Sequence, residues 1–455
     1  MLASFQAWYQ EHQDQILSDY FEFLRFPSIS TDPKYKGEIH KTALWLQHYL
    51  KKMGMAAELW ETTNHPVVFA THLKAGPDRP TVLIYNHYDV QPVDPLEQWK
   101  SPPFEPVIRD GKVYARGASD NKGQCFYFLT ALKAFLQKTE KLNVNLKLFI
   151  EGEEECGSSG STDILKKRRE ELKADYVVIL DMGIPEAGVP AITLGLRGIV
   201  ALEVTCRNSR IDLHSGVHGG VALNPNRALA TALSKLWDAQ GKIAVPGFYD
   251  AVTVPRKEEL SQIDQSFDED RLRRVFGIQA FQGEPGWSLW ASNKIRPTIE
   301  INGISGGYTG EGFKTVIPSQ AKAKISCRLV PNQDPQKTAH QVADFLKTCV
   351  PPGIELSFIF DHGGKAVRTS PDTKVAKLAA EAYAEVFKKP CLKMFCAATV
   401  PIVADLAQAA GGELALMGVS LDEDDIHAPN EHFGLDQFYQ GYQVMTSFLT
   451  RLNRG

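Results

Sequence analysis

The sequence has no paired cysteines, no long apolar run and almost no net charge, and each absence removes a class of protein. Its seven cysteines (Cys125, Cys156, Cys206, Cys327, Cys349, Cys391 and Cys396) are scattered, odd in number and free of any CxxC pair. That argues against a disulfide framework and for a reducing compartment. No apolar stretch approaches the ~20 residues needed to span a bilayer, so no membrane partner is expected. Lys and Arg total 50 against 54 Asp and Glu, a net charge of −4. Nothing in that balance favours nucleic acid or an anionic surface. The opening stretch, MLASFQAWYQEHQDQILSDYFEFL, is amphipathic and carries acids. It lacks the basic n-region and apolar h-region of a secretory signal, so a cytoplasmic enzyme is the expectation.

What is present is a chain of 455 residues with 43 % hydrophobic residues, enough for two or three domains with sizeable cores. The first part alternates helix and strand signals. His40–Met53 and Gly123–Gln137 have helical periodicity, whereas Thr81–Tyr85, Asn143–Ile150 and Tyr176–Leu180 read as strands. This alternation predicts an α/β fold, with a largely parallel sheet and helices on both faces. The character changes near Gly195–Gly198. Strand signals at Ile199–Cys206, Pro297–Ile304, Ala321–Leu329 and Ile354–Phe360 enclose helices over Asn224–Ala239 and Gln336–Cys349. That order suits a small α+β domain with an antiparallel sheet. Asp361–Lys365 reads as a hinge, and helices return at Thr373–Phe387 and Leu435–Leu452. The expected division is therefore 1–195 and 366–455 for one domain, with 196–365 inserted into it.

Three apolar strands of the first domain end in residues that bind metals: His87 and Asp89, then the run EGEEE at 151–155, then Asp181. Sites in open α/β sheets form beyond the carboxyl ends of the strands. Asp120 lies in a Gly-rich turn ahead of an apolar helix, and His427 in a polar loop before the last helix. Each position alone reads as well in a bland way. An Asp after a strand is commonly an N-cap, and a Glu-rich turn is usually solvated. Taken together, two His and several carboxylates at three strand ends and two loops favour a metal site. Divalent cations would balance the four glutamates crowded between 151 and 155.

Seven motifs then carry a resemblance: NHYDVQP (86–92), WKSPPFEPVIRDGKVYARGASDNKGQ (99–124), EGEEECGSSG (151–160), DLHSGVHGG (212–220), GGYTGEGFKTVIP (306–318), SCRLVPN (326–332) and DEDDIHAPNE (422–431). The chain resembles the co-catalytic metallopeptidases of the carnosinase, cytosolic dipeptidase, aminoacylase and carboxypeptidase-G type, from about Ser18 to Leu452. The WKSPPFEP segment and the large insertion are most similar to the dipeptidases. The resemblance implies a zinc-exopeptidase-like catalytic domain, an inserted lid and dimerisation domain, and two divalent ions per subunit, Zn²⁺ or alternatively Mn²⁺. His87 and Asp181 would hold one ion, Glu155 and His427 the other, and Asp120 would bridge them. Asp89 would orient His87. The pattern E-G-x-E-E-x-G makes Glu154 the general base acting on a metal-bridged water. His214 would donate to the oxyanion in the partner subunit's site, which implies a homodimer. Arg328 would bind the substrate's carboxylate, with Thr315 beside it.

One loop departs from the dipeptidase pattern. Where those enzymes have R-E-G-G-S-I-P, this chain reads Phe395-Cys-Ala-Ala-Thr-Val-Pro401: Cys396, Ala397 and Ala398 replace the acidic residue and both glycines, and the hydroxyl survives as Thr399. The expected substrates are dipeptides or short peptides, with N-acyl amino acids (aminoacylase- or desuccinylase-like deacylation) as the alternative.

Overall fold

The computed structural model describes residues 2–361 and 363–454. The hinge read at Asp361–Lys365 includes His362, which lies outside the described residues.

The chain forms two compact units. The first comprises Met1–Gly195, Thr369–Met394 and Ile402–Gly455, and the second Leu196–Arg368 with Phe395–Pro401. The centre of the first unit is a sheet that includes, in spatial order, Ala56–Trp60, Val67–His72, Asn145–Glu151, Thr81–His87, Tyr176–Leu180, Glu413–Met417 and Ala191–Leu196. The four strands from Asn145–Glu151 to Glu413–Met417 are parallel. The flanking pairings are antiparallel. Val82–Tyr85 and Val177–Leu180 are fully buried, which is why each reads as an unbroken apolar run and not as an alternation. Helices cover the sheet on both faces. One layer centres on Lys122–Lys138 and Leu435–Arg454, with Leu2–Leu24, Lys36–Lys52 and Lys374–Phe387; another contains Ser159–Lys167 and Val403–Ala410. The mixed-charge run at 166–173 lies in the short helices Ser159–Lys167 and Arg169–Leu172, with local ion pairs Lys166–Asp163 and Lys173–Glu170.

The second unit is a four-stranded antiparallel sheet in the order Thr298–Gly306, Gln320–Leu329, Gly198–Arg207, Glu355–Phe360. Val200, Leu202, Val204 and Cys206 alternate onto one face and pack with helices Pro225–Ser234 and Pro335–Cys349. The helix expected over Asn224–Ala239 stops at Ser234. Its apolar periodicity continues into Leu236 and Trp237, but the chain turns back there. The Asp238 carboxylate accepts from the amides of Gln240 and Lys242, and Trp237 bridges to Ile243.

The expected division assigns all of 366–455 to the first domain, yet Phe395–Pro401 belongs to the second unit. Hydrogen bonds fix it there. The Arg197 amide donates to the Ala398 carbonyl at 3.1 Å, Arg197 Nε to the Ala397 carbonyl at 2.9 Å, and Thr399 Oγ1 to the Arg197 carbonyl at 2.7 Å.

Close helix packing in the first unit depends on Gly441. A Cβ at this position would lie 2.7 Å from the ring of Tyr127, itself buried on the facing helix. We expect Gly441→Ala to destabilise the first unit by about 1–3 kcal/mol, as overpacking of a filled core does. The measurement is a thermal or urea midpoint; a midpoint equal to that of the parent chain would show that the two helices separate at no cost.

Candidate metal centre

The site is assembled from strand ends and the two loops beside them. His87 is the last residue of Thr81–His87 and lies in register with Glu151 on the neighbouring parallel strand. Asp181 follows Tyr176–Leu180 directly. A short 3₁₀ turn, Glu154–Cys156, follows Asn145–Glu151 and presents Glu154 and Glu155. Asp120 immediately precedes Asn121, which caps helix Lys122–Lys138.

These residues form two groups that share one member: His87, Asp120 and Asp181, and Asp120, Glu155 and His427. Within each group the candidate ligand atoms lie no more than 4.8 Å apart. Asp120 faces both ways. Its Oδ1 lies 3.2 Å from His87 Nε2 and its Oδ2 lies 3.0 Å from His427 Nε2. Asp181 Oδ1 is 3.7 Å from His87 Nε2, and Glu155 Oε2 is 3.2 Å from His427 Nε2. A carboxylate offering one oxygen to each of two imidazole–carboxylate pairs is the arrangement a bridging ligand needs. The donor set of imidazole and carboxylate suits Zn²⁺-type ions. Glu155 Oε1 is buried with no hydrogen-bond partner, a costly state unless something outside the protein satisfies it.

Crowding and burial shift the titration of these groups. Burial pushes the Glu154 carboxyl well up; His87 partly offsets this, and neighbouring Glu155, Asp181 and Asp120 push it further. Burial likewise raises Glu155, to about 7, and raises Asp181. Burial alone would lower both histidines, but the surrounding carboxylates win. His87 is held well above its ordinary value, and His427 is raised to about 11 by Asp120 and Glu155. Burial would raise Asp120 too, yet hydrogen bonds from His427 and His87 hold it low. Clustered carboxylates of this kind favour positive charge among them, which bound divalent cations would supply.

Buried polar groups fix the ligands. Asp89 is fully buried, and its Oδ1 lies 3.3 Å from His87 Nδ1. The same carboxylate accepts from the amides of Glu154 at 3.2 Å and Glu155 at 3.0 Å. It therefore orients a histidine and the glutamate turn together. Gln91 Nε2 donates to Glu155 Oε2 at 2.8 Å, and Asn121 Nδ2 to Asp181 Oδ1 at 2.7 Å. The Glu154 carboxylate has no hydrogen-bond partner among the described residues. Glu153 is expected from the sequence to face solvent or to sit behind the ligands. It is fully buried, accepting from Asn64 Nδ2 at 2.9 Å and from the Ser161 amide. Glu151 is also buried, accepting from Tyr85 and Ser158 hydroxyls, and burial raises it to about 8. Neither joins a ligand group.

The other sequence candidates belong to the second unit. His214 is exposed and pairs with Val316 in a two-residue ladder; its Nδ1 accepts the Gly216 amide at 3.0 Å. The Thr315 carbonyl accepts the Ser215 amide at 3.0 Å. Arg328 Nη1 donates to Thr399 Oγ1 at 2.8 Å and forms no ion pair among the described residues. Arg328 pairs with Ile199 across the sheet, so Arg197, two residues away, shares its face. Burial, and then the Arg328 charge, lowers Arg197 to about 10. Gln91, Asn121 and Arg197 escaped the sequence reading. Gln91 and Asn121 lie within the motifs NHYDVQP and WKSPPFEPVIRDGKVYARGASDNKGQ, but nothing there showed their contacts with Glu155 and Asp181.

Comparison with known families matches residues 83–451 to peptidase family M20/M25/M40. The Cys-Gly metallodipeptidase dug1 of Schizosaccharomyces pombe is 27 % identical over 97 % of this chain and 96 % of its own length. The human Beta-Ala-His dipeptidase is 32 % identical over 74 % of this chain and 69 % of its own. A crystal structure of the M20 family metallo-carboxypeptidase Sso-CP2 from Sulfolobus solfataricus superposes with a TM-score of 0.89 at 35 % identity, covering 97 % of this chain and 99 % of that one. Family match, fold and ligand geometry agree: this chain is a peptide hydrolase belonging to peptidase family M20/M25/M40.

Proposed function

We propose that the protein is a two-metal dipeptidase, and the observation that carries this is Asp120 lying between two imidazole–carboxylate pairs. His87 and Asp181 would hold one ion, His427 and Glu155 the other, and Asp120 both. Bound divalent ions, Zn²⁺ before Mn²⁺ on this donor set, would polarise the scissile carbonyl and activate a water near neutral pH. Glu154 takes a proton from that water and passes it to the departing amine. Its raised proton affinity and its freedom from hydrogen bonds suit that task. His214, exposed on the second unit, donates to the oxyanion in the site of a partner subunit, so the working form is a homodimer. Arg328, whose guanidinium forms no ion pair among the described residues, binds the substrate's terminal carboxylate, while Thr399 holds Arg328 and Thr315 supports the substrate. Seven free cysteines suit a reducing, cytoplasmic setting. Among the described residues no helix is long and apolar enough to cross a membrane.

The relatives named above as dipeptidases support a dipeptide substrate, whereas Sso-CP2 is named a carboxypeptidase. Both readings need a free terminal carboxylate near Arg328. The altered loop 395–401 favours testing N-acyl amino acids as well.

Three outcomes are expected. Glu154→Ala should keep two metal ions by elemental analysis while losing about 10²–10⁴-fold in turnover, whereas Glu155→Ala should lose one ion. Equal metal loss in both would count against this assignment, and the reverse pattern would exchange the two roles. Mixing His214→Ala with Glu154→Ala protein should restore part of the activity, because a mixed dimer rebuilds one complete site; no recovery after demonstrated subunit exchange excludes a cross-subunit His214. Finally, metal-loaded protein should cleave free dipeptides and lose that activity on C-terminally amidated ones. Cleavage of N-acyl amino acids alone would make it a deacylase, and preference for longer peptides would make it a carboxypeptidase.

A further inference from the structure

The ligand His427 poses a problem. Its side chain is 52 % exposed, and it lies in a loop where Asp425, His427 and Asn430 all adopt positive φ, at 54°, 64° and 67°. Such backbone conformations persist only where the surroundings over-determine them. Two buried carboxylates from the same loop supply that constraint, and both reach the turn that carries Asp120. Asp424 Oδ2 accepts the Ser119 hydroxyl at 2.8 Å and the Leu421 amide at 2.9 Å, and also receives Gln437 Nε2 at 3.1 Å. Glu431, 1 % exposed, does more. Its Oε1 accepts the amides of Ser119 and Asp120, each at 3.0 Å, and its Oε2 accepts the Gly117 amide at 2.9 Å and Arg116 Nη1 at 2.8 Å. Arg116 is itself buried and supplies the opposing charge.

We infer that Glu431 is a positioning residue for both metal sites: one carboxylate fixes the backbone of Asp120 and, four residues from His427, anchors the loop that presents it. The inference rests on the metal reading above. Four donors converge on two oxygens, so the carboxylate's accepting capacity is used on the Asp120 turn and its counter-charge, with none directed at an ion. Glu431 thus acts through Asp120 and His427 and is not itself a ligand. The two groups of ligands share Asp120, so loosening this anchor weakens both ions together and not one alone. A glutamine here would turn an amide N–H₂ toward the donors of Gly117, Ser119, Asp120 or Arg116, whichever way it settles, and would leave Arg116 buried without its partner.

The test is Co²⁺ titration of the metal-free full-length chain, read by visible absorption and by elemental stoichiometry, alongside circular dichroism. The parent chain is expected to bind two ions. Glu431→Gln should bind cobalt about 10–100-fold more weakly at both sites, the range for lost partners of metal ligands, with an altered absorption band. Glu431→Asp keeps the charge opposite Arg116 but shortens the reach, and should shift affinity in the same direction. A purely structural residue would lower thermal stability and leave cobalt affinity and spectrum unchanged; that result in both folded variants overturns the inference, as does failure of both variants to fold. A parent chain that binds no cobalt overturns the metal reading itself, which separates the two failures.

Discussion

Concentrated negative charge is the constraint that organises the first unit. Asp89, Asp120, Glu154, Glu155 and Asp181 meet at the carboxyl ends of three parallel strands, with His87 and His427 as the only imidazoles in the two ligand groups. Two unit charges 4 Å apart repel by about 4 kcal/mol at an effective dielectric of 20, so several such pairs are costly unless positive charge lies among them. The carboxylates answer in two ways. Those that face the ligand groups rise in proton affinity or draw protons onto His87 and His427. Those behind them, Asp89 and Glu431, are satisfied by backbone amides and an arginine. The second solution costs no metal affinity, because backbone donors do not compete for the oxygens facing the centre.

This division explains how rigid ligand placement coexists with loops. Asp89 ties the Glu154–Glu155 turn to the strand end that bears His87, and Glu431 ties the Asp120 turn to the loop that bears His427. Each tie joins segments far apart in the chain. Ligand geometry is therefore set by a few buried polar contacts across loops and not by helix or strand regularity, and the strands contribute mainly the direction in which His87 and Asp181 emerge.

That same fact marks the limit of what the sequence discloses. Tyr176–Leu180 was legible because burial on both faces makes a strand a continuous apolar run. Its parallel neighbour Glu413–Met417 was not, since Glu, Leu, Ala, Leu and Met all favour helix and only pairing with Tyr176–Leu180 makes them a strand. At the site, the residue types at the strand ends were readable from local order. The roles within Glu151–Glu155 came only through the resemblance, and spacing alone did not show that Glu153 turns inward to Asn64. Glu431 closes the motif DEDDIHAPNE, but its role could not be read: its partners lie more than 300 residues earlier, and nothing local shows that it turns inward.

The assignment of residues to units bears on how activity and specificity vary independently. Every candidate ligand, and every group that holds one in place, belongs to the first unit, whereas His214, Thr315, Arg328 and Thr399 belong to the second. Within the second unit Arg328 is set by Thr399, and Thr399 by the backbone of Arg197. Those contacts need only the hydroxyl and the main chain of loop 395–401. The residues that depart from the dipeptidase pattern, Cys396, Ala397 and Ala398, sit between them and contribute carbonyls to Arg197 from Ala397 and Ala398. The Ala397 and Ala398 side chains can thus change while the contacts that hold Arg328, the proposed carboxylate-binding residue, stay in place. A complete ligand set in a chain with an altered loop is then no contradiction: the candidate metal ligands and the proposed substrate-reading residues rest on different backbone, held by different hydrogen bonds.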